Sequence, residues 1–279
     1  MFQERSDSPS LGLVRIDGVE IITDELGPGD PVAEVVLCHG TPWSAEVWRP
    51  VAERLARTHR VLLWDMPGYG ASITTEAPVD LVAQRQRLAA LVEAWGLDRP
   101  HVVAHDIGGA VALGAHLLEG LDVASLFLLD VVTLDPWGSP FFRLVAEHES
   151  VFAALPPNLH EALVREYVAG AARSELDPTW IDELVRPWTS ATGQAAFYRQ
   201  IAQLVPEHTR PIVDRLGDVR APVRIAWGSD DPWIPVEQAD RLAAALPGDV
   251  EVRRLEGVGH LGPVEATHEV ADLVLEWLR

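Results

Sequence analysis

The stretch "VVAHDIGGAVAL", residues 102–113, constrains the fold of this chain more than any other. Its apolar start predicts the end of a buried strand, and Gly108 to Leu118 predicts a helix, so only a tight turn separates the two. Small residues around the turn permit a strained backbone and close packing of helix on strand. Asp106 lies at the tip of the turn. A carboxylate is therefore predicted at the edge of the sheet where open α/β folds bind their ligands.

Short apolar runs recur along the chain and predict strands buried on both faces of a sheet. These runs are "AEVVLC", "RVLLW", "HVVA", "SLFLLDVV" and "VRIAW". Apolar residues at helical spacing occur in Val47–Arg57, Val79–Trp95, Val236–Leu246 and Thr267–Leu278. Strand followed by helix, repeated, predicts an α/β fold with a mostly parallel central sheet flanked by helices.

The alternation stops between Leu134 and Arg210, where prolines, tryptophans and short helical runs occur without a strand candidate. It resumes at Val223. We therefore predict a core domain of residues 1–134 and 211–279, with a helical cap of residues 135–210 inserted between two core strands. The alternative is an independent helical domain.

Charge and composition exclude several functions. The formal charge of −20 opposes binding to nucleic acid or to an anionic membrane. All 22 basic residues are arginine, which excludes Schiff-base chemistry and a phosphate-loop lysine. A single cysteine, Cys38, excludes an internal disulfide framework. Without a signal-peptide pattern or a transmembrane run, we expect a cytoplasmic protein, and a homodimer is possible.

Asp106 allows two interpretations on the local sequence. In the first, it only caps the following helix, since aspartate is a common N-cap residue. In the second, the helix amides favour its ionised form and make it a nucleophile. The local sequence does not decide between them.

Four further motifs follow the ends of predicted strands. They are "LCHGTPW" (37–43), "WDMPGYGAS" (64–72), "WGSDDPWIP" (227–235) and "GVGHLGPVE" (257–265). The backbone amides of Thr41 and Ile107 are the expected donors of an oxyanion hole. The order of nucleophile, acid and histidine, with His260 last, is typical of α/β-hydrolases.

On these motifs the sequence resembles the α/β-hydrolase superfamily over nearly the whole core. The "HD" pair at the turn resembles a narrower branch, the epoxide hydrolases and haloalkane dehalogenases, in which aspartate replaces serine. The resemblance implies that Asp106 is the nucleophile, His260 the base and Asp231 the acid that orients it. Asp230 and Asp130 remain alternatives for the acid. We expect neither a metal nor a cofactor.

A carboxylate nucleophile suits displacement at a saturated carbon, which gives an alkyl ester on Asp106. His260 would then activate a water molecule that attacks the ester carbonyl. The amides of Thr41 and Ile107 would stabilise the resulting oxyanion. The expected substrate is a small apolar organic molecule, together with water.

Epoxide hydrolases and haloalkane dehalogenases differ in the leaving group of their reactions. The resemblance implies a halide-binding tryptophan and asparagine at positions that Ile107 and Thr41 occupy here. An epoxide oxygen instead needs a proton donor, for which Tyr198 resembles the cap tyrosine of epoxide hydrolases. Tyr167 is a weaker second candidate, and Trp43 is a candidate for substrate binding. We therefore expect epoxide hydrolysis to a diol, then dehalogenation, with a non-catalytic small-molecule-binding protein of this fold as the alternative from a different class.

Overall fold

The computed structural model describes residues 12–73 and 77–279 of the chain. In these ranges eight strands form one sheet, in the order β1-β2-β4-β3-β5-β6-β7-β8. The strands are β1 Gly12–Ile16, β2 Val19–Leu26, β3 Glu34–Cys38, β4 Arg60–Trp64, β5 His101–His105, β6 Ser125–Leu129, β7 Val223–Gly228 and β8 Glu251–Leu255. In this order, each neighbouring pair of strands from β4 to β8 is parallel. The pairs β1–β2 and β2–β4 are antiparallel. The predicted α/β class with a mostly parallel central sheet is confirmed.

The α-helices of the described ranges follow strands β3 to β8, and five of them, α4 to α8, come in succession between β6 and β7. They are α1 Arg49–Leu55, α2 Leu81–Ala94, α3 Ile107–Leu118, α4 Pro140–Ala153, α5 Pro157–Ala169, α6 Pro178–Val185, α7 Ala191–Gln203, α8 Arg210–Val213, α9 Glu237–Ala245, α10 Gly262–Glu265 and α11 Thr267–Trp277. The helices that the periodicity predicts lie at nearly the expected positions. Within the described ranges, no helix combines the length and apolarity needed to cross a membrane.

Strands β1 and β2 form a hairpin that the continuous apolar runs of the sequence do not predict. Its turn contains Asp17 and Gly18, with φ of 48° and 79°. Asp-Gly is a strong signal for a two-residue hairpin turn, because both positions need positive φ. β1 is the edge strand of the sheet and β2 lies next to it, and in both strands half-exposed positions interrupt the apolar pattern.

The stretch between β6 and β7 contains helices and no strand among its residues, all of which are described. We call residues 135–210 the helical insert. Its side chains Val164 and Phe197 are buried in an apolar core that is continuous with the sheet. The Trp188 indole N–H also donates to the carbonyl of Pro42, 3.1 Å away, in the loop after β3. The bounds of the insert as a separate cap remain a prediction.

The turn between β5 and α3 is packed so closely that it admits only glycine at two positions. A Cβ on Gly108 would lie 2.6 Å from the carbonyl oxygen of His39 and 2.7 Å from that of Cys38. A Cβ on Gly109 would lie 2.3 Å from the Cβ of Val131. Strand-end carbonyls cannot move without disturbing the sheet, so these glycines determine how closely α3 approaches the sheet.

We predict that Gly108→Ala lowers the free energy of unfolding by roughly 1–3 kcal/mol, because the added methyl group overpacks a rigid backbone contact. Urea denaturation followed by circular dichroism measures the change. Gly217→Ala is the matched control, since a Cβ there would meet nothing within 4 Å. Equal unfolding midpoints for the two variants would contradict the packing argument.

Candidate active site

Asp106 lies in a strained backbone conformation between β5 and α3. Its φ of 51° and ψ of −126° are unusual for a residue with a side chain. Backbone hydrogen bonds hold it there: its N–H donates to Leu129 (3.3 Å), and its carbonyl accepts from Val132 (3.0 Å). Only 3% of the residue is exposed. The chain therefore reverses sharply and presents a buried carboxylate at the carboxyl edge of the sheet.

The carboxylate of Asp106 does not cap helix α3. The residue occupies the N-cap position, but its side chain makes no capping hydrogen bond. Instead, Oδ2 accepts the backbone N–H of Thr41 at 2.6 Å, and the adjacent N–H of Ile107 helps to lower the pKa of the carboxyl group. The helix-cap interpretation is therefore wrong. The two amides expected to form an oxyanion hole converge on one carboxylate.

His260 lies beside Asp106, and Asp231 orients its ring. The Nε2 atom of His260 is 3.7 Å from Oδ1 of Asp106, and its Nδ1 donates to Oδ2 of Asp231 at 2.8 Å. The other oxygen of Asp231 accepts the N–H groups of Trp233 (2.7 Å) and Ile234 (2.9 Å). These two bonds fix the carboxylate, which in turn fixes the imidazole with Nε2 facing Asp106.

The two other candidate acids have different partners. Asp230 pairs with Arg173 at 2.8 Å near the surface. Asp130 is fully buried, and its Oδ1 accepts the N–H of Gly228 at 2.7 Å. Its Oδ2 has no hydrogen-bond partner among the described residues. Burial, and then the negative charge of Asp231, raise the pKa of Asp130 well above its ordinary value, which favours the protonated acid.

The loop that carries His260 is held by residues to which the sequence analysis assigned no role in this loop. The ring Nε2–H of His105 donates to the carbonyl of His260 at 2.8 Å. The N–H of His260 donates to Ala171 of the helical insert at 2.9 Å. Glu265 accepts the N–H of Gly259 at 3.2 Å. The sequence signal for these contacts is proximity alone: His105 precedes Asp106, and Glu265 follows His260 by five residues.

Opposing effects set the pKa of His260. Burial lowers it, but the carboxylates of Asp231 and Asp106 raise it more strongly, to about 9. For Asp106, burial raises the pKa, while the charge of His260 and the N–H of Thr41 oppose that rise. The site thus favours an imidazolium surrounded by carboxyl groups.

A small cavity of about 70 Å³ opens onto Asp106. It is lined by Thr41, Asp106, Ile107, Val132, Pro136, Trp137, Gly138, Ser139, Phe142, Tyr167, Trp233 and Ile234. Among the described residues that line the cavity, Asp106 has the one charged side chain. The cavity therefore suits an uncharged, largely apolar molecule.

The structure does not bring Tyr198 to this cavity. Its hydroxyl pairs with Nδ1 of His160 at 2.8 Å, and its ring packs on Phe152 at a centroid distance of 5.5 Å. Trp43 does not line the cavity either, because it stacks behind Trp233 with centroids 5.6 Å apart. Tyr167 and Trp233 line the cavity, whereas Tyr198 and Trp43 do not.

Tyr167, on α5, presents its phenol to the cavity. Its ring stacks on Trp233 with centroids 4.7 Å apart. Burial, and then the charge of Asp106, raise the pKa of Tyr167 well above its ordinary value, so the hydroxyl keeps its proton. None of the hydrogen bonds found among residues 12–73 and 77–279 involves this hydroxyl. Among the described residues it is therefore available as a proton donor, in the same cavity wall as Asp106.

Known proteins resemble the chain over most of its length. It is 40% identical to an alpha/beta hydrolase fold protein from Burkholderia ambifaria, with a TM-score of 0.90 over 96% of this chain and 100% of that one. It is 27% identical to epoxide hydrolase A of Mycobacterium tuberculosis, over 97% of this chain and 98% of the relative. It is also 27% identical to a 2-hydroxy-6-oxononadienedioate/2-hydroxy-6-oxononatrienedioate hydrolase of Dechloromonas aromatica, over 90% and 88% of the two chains.

The sequence pattern of the alpha/beta hydrolase family matches residues 35–273. That range contains the strands β3 to β8, the turn at Asp106 and the loop of His260. The resemblance stated from the motifs is confirmed at this level, and the chain belongs to the alpha/beta hydrolase family.

Proposed function

We propose that the protein is an epoxide hydrolase that forms an alkyl ester on Asp106 and hydrolyses it to a diol. The observation that carries the proposal is the position of the Asp106 carboxylate. Oδ2 lies 2.6 Å from the amide nitrogen of Thr41, where an oxyanion would later form, while Oδ1 is left to attack a molecule in the cavity. Serine hydrolases place a hydroxyl at this turn, which must first lose a proton, whereas a carboxylate attacks without that step.

The first step forms one bond and breaks one. Oδ1 of Asp106 attacks a ring carbon of the epoxide, and the bond from that carbon to the ring oxygen breaks. The Tyr167 hydroxyl gives its proton to the departing oxygen. The resulting phenolate takes the proton of the His260 imidazolium, because its basicity is far higher. The products are a neutral hydroxyalkyl ester, a neutral tyrosine and a neutral imidazole.

The second step returns the site to its starting state. Neutral His260 removes a proton from water, and the hydroxide attacks the ester carbonyl carbon. The amides of Thr41 and Ile107 stabilise the oxyanion of the tetrahedral intermediate. When the intermediate collapses, Oδ1 leaves with the diol and takes a proton from His260. Asp106 then carries an oxygen from water and gives its acid proton back to His260.

Charge coupling makes this order of steps favourable. The Asp106 carboxylate is one of the groups that raise the pKa of His260. Ester formation removes that charge, so His260 becomes easier to deprotonate at the stage that needs a base. Asp231 remains charged and keeps the ring oriented.

The cavity favours an epoxide over a halide or a dicarboxylate. The Tyr167 phenol is available as a proton donor, whereas one of the two indole N–H groups of the wall, that of Trp137, is bonded to Thr209 at 3.0 Å. The described wall contains no arginine that could bind the carboxylates of a dienedioate, the substrate that names one of the relatives. The similarity to an epoxide hydrolase over nearly the full chain supports the same assignment.

The direct test uses His260→Ala with styrene oxide, an uncharged epoxide. We expect the wild-type protein to release the diol and the variant to accumulate a covalent adduct, because alkylation continues while ester hydrolysis loses its base. Intact-protein mass spectrometry should show an increase equal to one epoxide molecule, and peptide mapping should locate it on Asp106.

Asp106→Ala is the control for this test and should show no adduct. An adduct and turnover with 1-chlorobutane but not with the epoxide would favour dehalogenation instead. A wild-type protein that turns over neither compound, with no adduct in His260→Ala, would favour the non-catalytic binding protein.

A second prediction concerns the proton donor. Tyr167→Phe should lower the rate constant of alkylation by about a hundredfold, because a positioned general acid contributes roughly that factor or more. Rapid-quench mass spectrometry in the His260→Ala background measures this step alone. Tyr198→Phe is the matched control and should react at nearly the rate of its parent, since its hydroxyl faces His160. The reverse order of the two variants would assign the proton donor to Tyr198.

A third prediction concerns the charge coupling. The pKa of His260 is about 9 with Asp106 present, so the imidazolium persists below that pH and loses its proton above it. Asp106→Asn removes a negative charge and should shift this titration to lower pH. A ¹H–¹⁵N NMR titration of the imidazole nitrogens in both proteins measures the shift. An unchanged or higher pKa in the variant would contradict the proposed coupling.

A further inference from the structure

Gln200, on α7 of the helical insert, forms buried contacts that the proposed chemistry does not use. It is fully buried. Its Oε1 accepts the hydroxyl of Thr41 at 2.8 Å and the hydroxyl of Tyr69 at 2.8 Å. One amide oxygen of the insert thus binds two hydroxyl groups of two different core loops.

The first of those hydroxyls belongs to the residue whose amide contacts Asp106. Thr41 is therefore held at both ends: its N–H donates to Asp106, and its Oγ1 donates to Gln200. A β-branched side chain has a stiff χ1, so fixing Oγ1 also restricts the position of the Thr41 nitrogen, which is three bonds away.

The backbone before Thr41 also restrains this amide. Gly40 lies against Asp106 so closely that a Cβ would be 2.4 Å from the Cβ of Asp106, so the position needs glycine. The carbonyl of Gly40, in the same peptide unit as the Thr41 N–H, accepts the Nδ1–H of His39 at 2.8 Å and the N–H of Trp43 at 3.1 Å. Gln200 adds to these bonds a restraint through the Thr41 side chain.

Two further contacts keep Gln200 and this loop in place. The Tyr69 hydroxyl keeps its proton, because burial raises the pKa of Tyr69 strongly, so it acts as a donor to Oε1. The Trp188 indole of the insert donates to the carbonyl of Pro42, next to Thr41, at 3.1 Å. The insert thus anchors the loop at two consecutive residues.

We propose that Gln200 is a positioning residue that directs the Thr41 amide at Asp106 and thereby controls hydrolysis of the covalent ester. This inference rests on the proposed function. The amide matters most in the second step, when negative charge develops on the ester carbonyl oxygen, and less in alkylation, when the carboxylate loses charge. A misdirected amide should therefore slow the second step selectively.

The kinetic test compares Gln200→Met, which keeps the length but removes the acceptor, with Thr41→Val, which removes the hydroxyl but keeps the amide. Each should lower the rate constant of ester hydrolysis by about tenfold or more, with a much smaller effect on alkylation. The ester should then accumulate during turnover of styrene oxide, as seen by rapid-quench mass spectrometry. The double variant should hydrolyse the ester no more slowly than either single variant, because both remove the same contact.

Two other variants separate positioning from a structural role. Gln200→Glu keeps an acceptor oxygen and should retain hydrolysis close to the wild-type rate. Gln194→Met is the matched control: this glutamine of the same helix is buried, and its side-chain hydrogen bonds to described residues go to Ala153 and Leu155 of the insert. It should lower the melting temperature without accumulating ester. Equal slowing of both steps in Gln200→Met, or the same kinetics in Gln194→Met, would overturn the proposal.

A measurement without substrate keeps the inference testable if styrene oxide is not turned over. The Thr41 amide proton should be strongly deshielded in ¹H–¹⁵N NMR spectra, because its hydrogen bond to a carboxylate is short. Gln200→Met should move this signal upfield and speed its exchange with solvent, and Gln194→Met should leave it in place. An unmoved signal in Gln200→Met would overturn the positioning role, whereas absence of turnover in the wild-type protein would overturn only the proposed function.

Discussion

The sharp turn at Asp106 is the constraint on which the rest of the site depends. With φ at 51°, the backbone leaves β5 and enters α3 without an intervening loop, so the carboxylate projects from the sheet edge. Hydrogen bonds to β6 and to Val132 hold a conformation that is otherwise unfavourable. Glycines at positions 40 and 108 allow the neighbouring strand end to approach, and this approach brings the Thr41 amide to the carboxylate.

The electrostatics at this turn depend on a proton and not on a fixed cation. The chain has 22 arginines, yet the described cavity wall contains none, and three carboxyl groups surround one imidazole. The charge of that imidazole can therefore change during a reaction cycle, which a guanidinium could not do. A low-dielectric wall of aromatic side chains strengthens each of these interactions. Asp130, with its raised pKa, adds little negative charge of its own.

Sequence patterns predicted the parts of this molecule that local chemistry determines. Buried parallel strands are continuous apolar runs, so β3 to β7 were visible, whereas β1 and β2 are half-exposed and were missed. Asp231 could be preferred to Asp230 because the family resemblance implied it, and the structure pairs it with His260. The choice between Tyr167 and Tyr198 could not be made in the same way. It depends on which side of α5 and α7 faces the sheet, and a residue one step along a helix points about 100° away. Gln200 and Thr41 meet across 159 residues, a separation that no local pattern encodes.

The core and the insert contribute different groups to the site. The core supplies the carboxylate and the histidine on strand ends, which are rigid and closely packed. The insert supplies the Tyr167 hydroxyl and the Gln200 amide, and it contacts the loop of Asp231 through the stacking of Tyr167 on Trp233. Under the proposed mechanism, the core alone would hold a nucleophile without a proton donor for its leaving group. The insert and the turn at Asp106 are separate segments of the chain. Substitutions in the insert can therefore change which leaving group is accepted without changing the backbone of the turn.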